Sequence, residues 1–187
     1  MLETTTKKLT LEEFLLLPET EPASEYIDGE VSQKEMPQGK HSRVQGKLVT
    51  AINAIAELAR SALAFPELRC TFGGRSIVPD VVVLEWNKIP VDATGEIQNV
   101  IVTPPDWIVE ILSPDQDQTK VIKKILHCLN HGTRLGWMID PKSKTILAFP
   151  AGQQPRAFEE AGEVLPVLES IEGLELSIET IFGWLKI

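Results

Sequence analysis

The sequence predicts a single domain of the α+β (mixed α/β) class that spans residues 1–187. Three observations lead to this expectation. A chain of 187 residues suits one domain with a substantial core. Segments with helical spacing of apolar residues alternate with short β-branched segments, in the order helix, strands, helix, strands. No internal repeat and no linker rich in Gly and Ser divides the chain.

The first third of the chain predicts two helices with a hairpin between them. Residues 10–17 begin with a capping box, Thr-Leu-Glu-Glu, and predict a short helix. Residues 25–31 have an Asp-Gly turn pair at their centre and predict a tight hairpin. Apolar residues with helical spacing predict a long helix over residues 42–63. His41 lies just ahead of this predicted helix. Two interpretations of it are open: an exposed neighbour of the helix cap, or a residue of a functional site.

The middle of the chain predicts strands around a long loop. Two short strands are expected at residues 68–72 and 76–78, and a more apolar strand at residues 80–84. Residues 85–105 show no periodicity and predict a loop of a length that is often functional. Prolines bound the next strand, which runs from Trp107 to Leu112.

The last part of the chain predicts one longer helix followed by short strands and a final helical turn. A helix is expected over residues 117–131, with an apolar stripe formed by Ile122, Ile125, Leu126 and Leu129. The remaining expected elements are a hairpin of residues 135–139 and 145–149, weaker strands at 154–159 and 163–165, and a helical turn that Ser177 caps.

Two acidic residues interrupt strands that are otherwise apolar. Glu110 shares a strand face with Ile108 and Leu112, and Asp80 begins the strand before it. A buried carboxylate costs several kcal/mol, roughly, unless a cation, a metal or a hydrogen-bond donor compensates it. Each acid also has an ordinary structural explanation. Asp80 could be a turn residue at the end of its strand, and Glu110 could be the ion-pair partner of Arg75 or Arg134. The two together favour a shared site for a divalent metal such as Mg²⁺, which prefers oxygen ligands.

Hydrolysis of a phosphodiester at such a metal needs a further group, and a lysine is suitable. A lysine can orient the attacking water or stabilise charge that develops on the phosphate. The helix after the Glu110 strand offers Lys120, Lys123 and Lys124. Lys123 and Lys124 flank the expected apolar stripe on opposite sides, while Lys120 points away. Periodicity alone does not choose between Lys123 and Lys124.

Composition excludes several functional classes. The net charge of −9 argues against a broad basic surface for non-specific DNA binding, although a local basic cleft remains compatible with it. The chain lacks a run of eighteen apolar residues and a signal-peptide hydrophobic region, so a cytoplasmic protein with no membrane partner is expected. Two cysteines make no disulfide framework.

Several motifs together resemble the Uma family of restriction-endonuclease-like proteins, which belongs to the PD-(D/E)XK nuclease superfamily. The resemblance covers nearly the whole chain, and its combined spacing is fairly specific. It rests on Asp80 after Pro79, on Glu110-Ile111-Leu112-Ser113-Pro114, on the lysine-bearing helix that ends at Gly132, on Glu25-Tyr26-Ile27-Asp28-Gly29-Glu30, on His41, and on Gly136-Trp137-Met138-Ile139-Asp140-Pro141.

The resemblance implies a restriction-endonuclease-like core, a mixed β-sheet flanked by helices, with the two acids on adjacent strands. It implies that Asp80 and Glu110 bind Mg²⁺ (or Mn²⁺) and that the catalytic lysine is Lys124. Glu25 matches the upstream acid of the family. Lys120 is a second candidate for the lysine because it lies one turn before Lys124.

The expected function is that of a metal-dependent endonuclease acting on nucleic acid, with DNA as the expected substrate and a homodimer as the expected assembly. A protein that keeps the nuclease fold but only binds or assembles is the main alternative. A weaker alternative is a zinc site at His127 and His131, which lie four residues apart on one helix. Convergence of both acids and one lysine on an open pocket would favour the nuclease.

Overall fold

The computed structural model describes residues 8–114 and 116–187 and has the expected mixed α+β architecture. Its helices are α1 (Leu11–Leu15), α2 (Gly39–Ala59), α3 (Gln118–Asn130) and α4 (Ile178–Gly183). Its strands are β1 (Ser24–Ile27), β2 (Glu30–Gln33), β3 (Ala62–Pro66), β4 (Cys70–Phe72), β5 (Arg75–Ile77), β6 (Val81–Glu85), β7 (Trp107–Ile111), β8 (Leu135–Asp140), β9 (Thr145–Pro150) and β10 (Arg156–Phe158).

The ten strands form two sheets. The larger sheet is mixed and has the order β10-β9-β8-β7-β6-β3, in which only the pair β7 and β8 is parallel. Helix α3 connects these two parallel strands, as a parallel pair requires a crossover. The smaller sheet is antiparallel, with the order β2-β1-β5-β4. None of the described helices is both long and apolar enough to cross a bilayer.

The central strands of the larger sheet are buried on both faces, which explains why they are apolar at most positions. Trp107, Val109 and Ile111 of β7 belong to the cluster that contains α2 and the carboxyl-terminal segment. Ile108 and Leu112 belong to the second cluster, which contains α3 and the smaller sheet. The period-two prediction for this strand is therefore confirmed, and position 110 faces the layer that contains α3.

Helix α3 packs unusually close to the sheet because one strand residue has no side chain. A Cβ atom at Gly136 of β8 would overlap Cγ2 of Ile125 on α3 and would also touch Ile108 on β7. Since α3 carries Lys124, this close approach sets the depth at which the lysine enters the protein.

The prediction for the first long helix was wrong at both ends. The helix begins at Gly39, so His41 lies inside its first turn and not ahead of it. It ends at Ala59, and Arg60 adopts the left-handed conformation at the cap. Residues 62–66 then form strand β3, which pairs along its whole length with β6. The apolar residues after Arg60 continue the helical spacing by coincidence, and pairing with β6 determines their conformation.

Other predictions were confirmed with small changes. The capping box at Thr10, the hairpin of β1 and β2, and the cap at Ser177 are present. The expected strand at residues 163–165 is only an isolated bridge, Val164 with Ser177. The apolar face of α3 is rotated from the predicted stripe, because Val121 and Cys128 are buried, whereas Leu126 is exposed.

Candidate active site

A cleft opens where the two sheets, the first turn of α2 and the helix α3 meet. Its volume is about 350 Å³. Strand β6 begins and strand β7 ends at this edge of the larger sheet, and β1 of the smaller sheet forms the opposite wall. The charged and titratable side chains of its lining are Glu25, Lys34, Glu35, His41, Glu67, Asp80, Asp117, Lys120 and Lys124.

Asp80 and Glu110 lie side by side at this sheet edge, as predicted. Val81 pairs with Val109 across the antiparallel strands β6 and β7. Extending that register by one position places Asp80 opposite Glu110. Oδ2 of Asp80 also accepts a hydrogen bond of 2.7 Å from the backbone N–H of Ile111, which fixes the carboxylate against β7.

Glu110 is fully enclosed beside a lysine. Its Oε1 atom lies 3.1 Å from Nζ of Lys124 but accepts no directed hydrogen bond. Burial raises the pKa of Glu110 to about 7, against the opposing effect of the Lys124 charge, and the charge of Asp80 adds to the rise. Glu110 is therefore a buried carboxylate with an oxygen that lacks a donor, a condition that a bound cation would relieve.

Lys124 is the lysine that α3 directs into the protein. Its ammonium lies 2.9 Å from Oε1 of Glu25 and 3.1 Å from Oε1 of Glu110. Burial would lower the pKa of Lys124, but the two carboxylates outweigh it and hold the pKa above the ordinary lysine value. An ammonium has three N–H donors, so contact with two carboxylates leaves at least one donor for water or a phosphate oxygen.

Glu25 connects the smaller sheet to this arrangement. Its Oε1 atom accepts a 2.7 Å hydrogen bond from the backbone N–H of Val78 as well as the contact from Lys124. Val78 lies two residues before Asp80, so Glu25 ties β1 both to the lysine and to the segment that leads into β6. Glu25 thus positions Lys124 from the side opposite Glu110.

Two side chains from other elements hold Asp80, and the sequence indicated only one of them. His41 Nε2 lies 3.0 Å from Asp80 Oδ2, and Lys34 Nζ lies 2.7 Å from Asp80 Oδ1. Burial would raise the pKa of Asp80, but the hydrogen bond from His41 and the charge of Lys34 outweigh it and hold the pKa below its usual range. Lys34 follows β2 in a segment without periodicity, so no sequence pattern pointed to it.

The arginine partners considered for the two acids lie elsewhere. Arg75 forms a bidentate pair with Asp28 in the hairpin turn. Arg134 contacts Glu85 and approaches Asp106 at the opposite end of β6. The proposed structural pairing of Asp80 or Glu110 with either arginine is therefore wrong, and both acids face lysines instead.

The structure separates the three lysines of α3. Lys124 is buried, and Lys123 is exposed and absent from the lining of the cleft. Lys120 is exposed, as its position away from the apolar stripe predicted, and it also lines the cleft as a second candidate lysine. The buried face of α3 is centred nearer to Val121 than the predicted stripe, and this rotation brings Lys120 to the cleft rim.

The ligand chemistry of the cleft fits a hard cation with few protein ligands. Within residues 8–114 and 116–187, no three His, Cys, Asp or Glu side chains are arranged to hold a metal. Asp80 and Glu110 supply two carboxylates, and Mg²⁺ is commonly bound through one or two carboxylates with water and substrate oxygens completing its octahedron. The Glu110 oxygen without a donor is compatible with this role.

The zinc alternative gains no support. His131 Nδ1 contacts the backbone oxygen of His127 at 2.7 Å, and His127 Nε2 contacts the backbone oxygen of Phe72. The imidazole of His127 also stacks on the Phe72 ring. The two histidines thus have ordinary packing and hydrogen-bonding partners.

Comparison with known proteins agrees with the resemblance seen in the sequence. The sequence model of the Uma2 family, described as "Putative restriction endonuclease", matches residues 11–179. A crystal structure described as a putative nuclease belonging to DUF820, from Anabaena variabilis ATCC 29413, has a TM-score of 0.93 and 53% sequence identity. That match covers 95% of this chain and 99% of the other. No curated protein matches the chain.

Proposed function

Because this chain belongs to the Uma2 family of restriction-endonuclease-like proteins, we propose that it is a metal-dependent endonuclease that hydrolyses phosphodiester bonds of DNA. One observation carries the proposal. Asp80 and Lys124 line one open cleft, and the buried Glu110 lies next to both of them, opposite Asp80 on the neighbouring strand and 3.1 Å from the ammonium of Lys124.

In this proposal Asp80 and Glu110 hold a divalent cation, Mg²⁺ or Mn²⁺. When bound, the cation neutralises charge on the scissile phosphate and makes a water molecule more acidic. Glu110 is held in place by the sheet, and Asp80 by the backbone N–H of Ile111. The rigid strands therefore fix the separation of the two carboxylates before any ligand arrives.

Lys124 acts on the substrate. Its third N–H donates to the attacking water or to a non-bridging phosphate oxygen, so it orients the reactants and stabilises the charge that develops. The water oxygen forms a new bond to phosphorus and releases one proton to solvent. The bond from phosphorus to one ester oxygen breaks, and that leaving oxygen takes up a proton from solvent. Glu25 and Glu110 keep the lysine charged and aimed at the cleft.

A group of basic side chains beside the cleft suits the nucleic-acid backbone. Lys40 and Arg43 lie on the first turns of α2, the turns that carry His41. Arg43 and Lys144 both contact the α4 segment, and Lys186 follows it. Burial and the like charges of Lys40 and Lys186 lower the pKa of Lys144, which is consistent with a close cluster. In a chain of net charge −9, such a cluster concentrates positive potential at one place.

We further propose that the protein acts as a homodimer. Cutting both strands of a duplex requires two active sites, and a symmetric dimer supplies them. Light scattering at micromolar concentration tests this part, and a monomer that still makes double-strand breaks would contradict it.

One observation favours the binding-protein alternative. Both oxygens of Asp80 already have partners in Lys34, His41 and the Ile111 N–H, as in a purely structural carboxylate. In that alternative the cleft would bind nucleic acid without hydrolysing it.

Cleavage of DNA and RNA substrates with Mg²⁺, with Mn²⁺ and with a chelator tests the proposal. The wild type is expected to cut DNA only when Mg²⁺ or Mn²⁺ is present. The Glu110→Gln variant is expected to lose this cleavage activity. Asp106→Asn is the matched control, because Asp106 is equally buried but precedes strand β7, at the end of that strand away from Asp80 and Lys124. Equal activity of Glu110→Gln and the wild type, or metal-independent cleavage, would contradict the proposal.

A further inference from the structure

Lys34 occupies the Asp80 side of the cleft. It follows strand β2, and its side chain is 13% exposed. Its ammonium lies 2.7 Å from Oδ1 of Asp80, donates to the backbone oxygen of Val78 at 2.9 Å and lies 3.6 Å from Glu67. Lys34 thus makes the closest ion pair of Asp80, although it follows a strand of the smaller sheet and Asp80 precedes a strand of the larger one.

The remaining contacts leave Asp80 little capacity for another cation. Oδ2 accepts from the Ile111 N–H and lies 3.0 Å from His41 Nε2, while Oδ1 accepts from Lys34. A divalent cation that bonds to Oδ1 would approach the Lys34 ammonium to within a few Å. Like charges at that distance repel strongly in a partly buried site.

We propose that Lys34 is a positioning residue that takes the place of the metal in the metal-free protein and is displaced from Asp80 when a divalent cation binds. This inference rests on the proposed metal-dependent function. Lys34 holds the Asp80 carboxylate ionised and in place while no metal is present, and it competes with the metal for Oδ1. Once displaced it remains at the cleft, where its ammonium can donate to a substrate phosphate oxygen.

The segment that carries Lys34 allows this movement. Residues 34–38 connect β2 to α2 without regular secondary structure. Strand β2 is an edge strand whose residues are all exposed. A lysine side chain has four rotatable carbon bonds, so the ammonium can leave Oδ1 by changes of rotamer alone.

Titration calorimetry with MgCl₂ on the full chain tests the inference without measuring activity. Lys34→Met is expected to bind Mg²⁺ at least about tenfold more tightly than the wild type, because the competitor is gone. The metal-free variant is expected to melt at a lower temperature, because Asp80 loses its closest partner. Mg²⁺ should then raise the melting temperature of the variant more than that of the wild type.

Two matched variants separate displacement from other effects. Lys88→Met removes a lysine that pairs with the buried Asp106 outside the cleft, so it should lower stability and leave Mg²⁺ affinity unchanged. Lys120→Met removes a positive charge from the cleft without touching an ion pair of Asp80, so it should change affinity by less than about threefold. If Lys120→Met gained as much Mg²⁺ affinity as Lys34→Met, the displacement of Lys34 by the metal would be overturned. The gain would then be a general effect of removing positive charge.

The outcomes also separate this inference from the proposed function. Unchanged or weaker Mg²⁺ binding by Lys34→Met, with normal binding by the wild type, overturns the inference and leaves the metal site intact. Absence of Mg²⁺ binding in both proteins overturns both. If Lys34→Met does not fold, the same Mg²⁺ titration with Lys34→Gln tests the inference. The glutamine amide removes the charge but can still donate a hydrogen bond to the backbone oxygen of Val78.

Discussion

The ammonium of Lys124 lies 3.1 Å from the carboxylate of Glu110, so a residue on helix α3 compensates a residue on strand β7 across the boundary between two layers. Each residue would be costly without the other, because both are buried. The pair therefore contributes both to folding and to the proposed chemistry, and substitutions must be interpreted with both effects in mind.

Replacing Lys124 tests this dual role. Lys124→Met is expected to abolish cleavage and to destabilise the fold by about 3–5 kcal/mol, because Glu25 and Glu110 are left without their cation. The double variant Lys124→Met/Glu110→Gln should recover part of the stability but none of the activity. Urea unfolding and cleavage assays measure the two quantities. Lys123→Met, at an exposed position one residue away, should change stability by less than about 0.5 kcal/mol.

The close approach of α3 to β8 gives a second prediction. Gly136→Ala adds a methyl group that overlaps Ile125 and should cost about 1–3 kcal/mol through overpacking. Because α3 must move outward, Lys124 should also shift and activity should fall. Gly162→Ala, where a methyl group meets no neighbour, is the control. Equal stability of the two variants would show that α3 does not depend on this contact.

The basic side chains beside the cleft give a third prediction. The triple variant Lys40→Glu/Lys144→Glu/Lys186→Glu should bind duplex DNA more weakly, and the slope of log K against log salt should become shallower by about 0.9 for each lost phosphate contact. Arg60→Glu is the control, because Arg60 lies at the far end of α2, about 30 Å from Lys40. Fluorescence anisotropy at several salt concentrations measures the slope. An equal loss of DNA affinity in Arg60→Glu would show that the DNA contact does not depend on these three lysines in particular.

The two thiols give a fourth prediction. Burial raises the pKa of Cys70 to about 12, and it raises the pKa of Cys128 as well. At pH 8 both should react with an aromatic disulfide reagent only after unfolding in guanidinium. In the unfolded chain the thiols have an ordinary pKa of about 8.5. The unfolded chain therefore loses these protons at a lower pH than the folded protein does, so the free energy of unfolding should fall as the pH rises above that value. Rapid reaction of the native protein would contradict the buried placement.

Much of the candidate site could be predicted because a strand has a short and strict period. Alternation along residues 107–112 assigned Glu110 to the face of Ile108 and Leu112, and that face meets α3 in the structure. The apolar composition of the two strands, with prolines at both ends of the Glu110 strand and Pro79 before Asp80, supported the prediction that the strands are adjacent in one sheet. The resemblance to the Uma family added Lys124, which periodicity alone had not separated from Lys123.

Other features depend on contacts that no local pattern encodes. The predicted helix ran into the first two residues of strand β3, whose apolar residues continue the helical spacing, and the rest of β3 was not predicted. Only pairing with β6 makes this segment a strand. Lys34 lies in an aperiodic segment, and the distance from β2 to Asp80 is a property of the assembled sheets. The predicted apolar stripe of α3 included Leu126, which is exposed, and missed Val121 and Cys128, because packing against the sheets decides which face of the helix is buried.

Diffraction from crystals grown with Mn²⁺ tests most directly whether Asp80 and Glu110 share one cation. The predicted result is an anomalous peak within about 2.2 Å of an oxygen from each carboxylate, with the ammonium of Lys34 moved away from Asp80. The peak should be absent from Glu110→Gln crystals grown in the same solution. A peak elsewhere, or an unchanged pair of Lys34 and Asp80 at saturating Mn²⁺, would contradict the account.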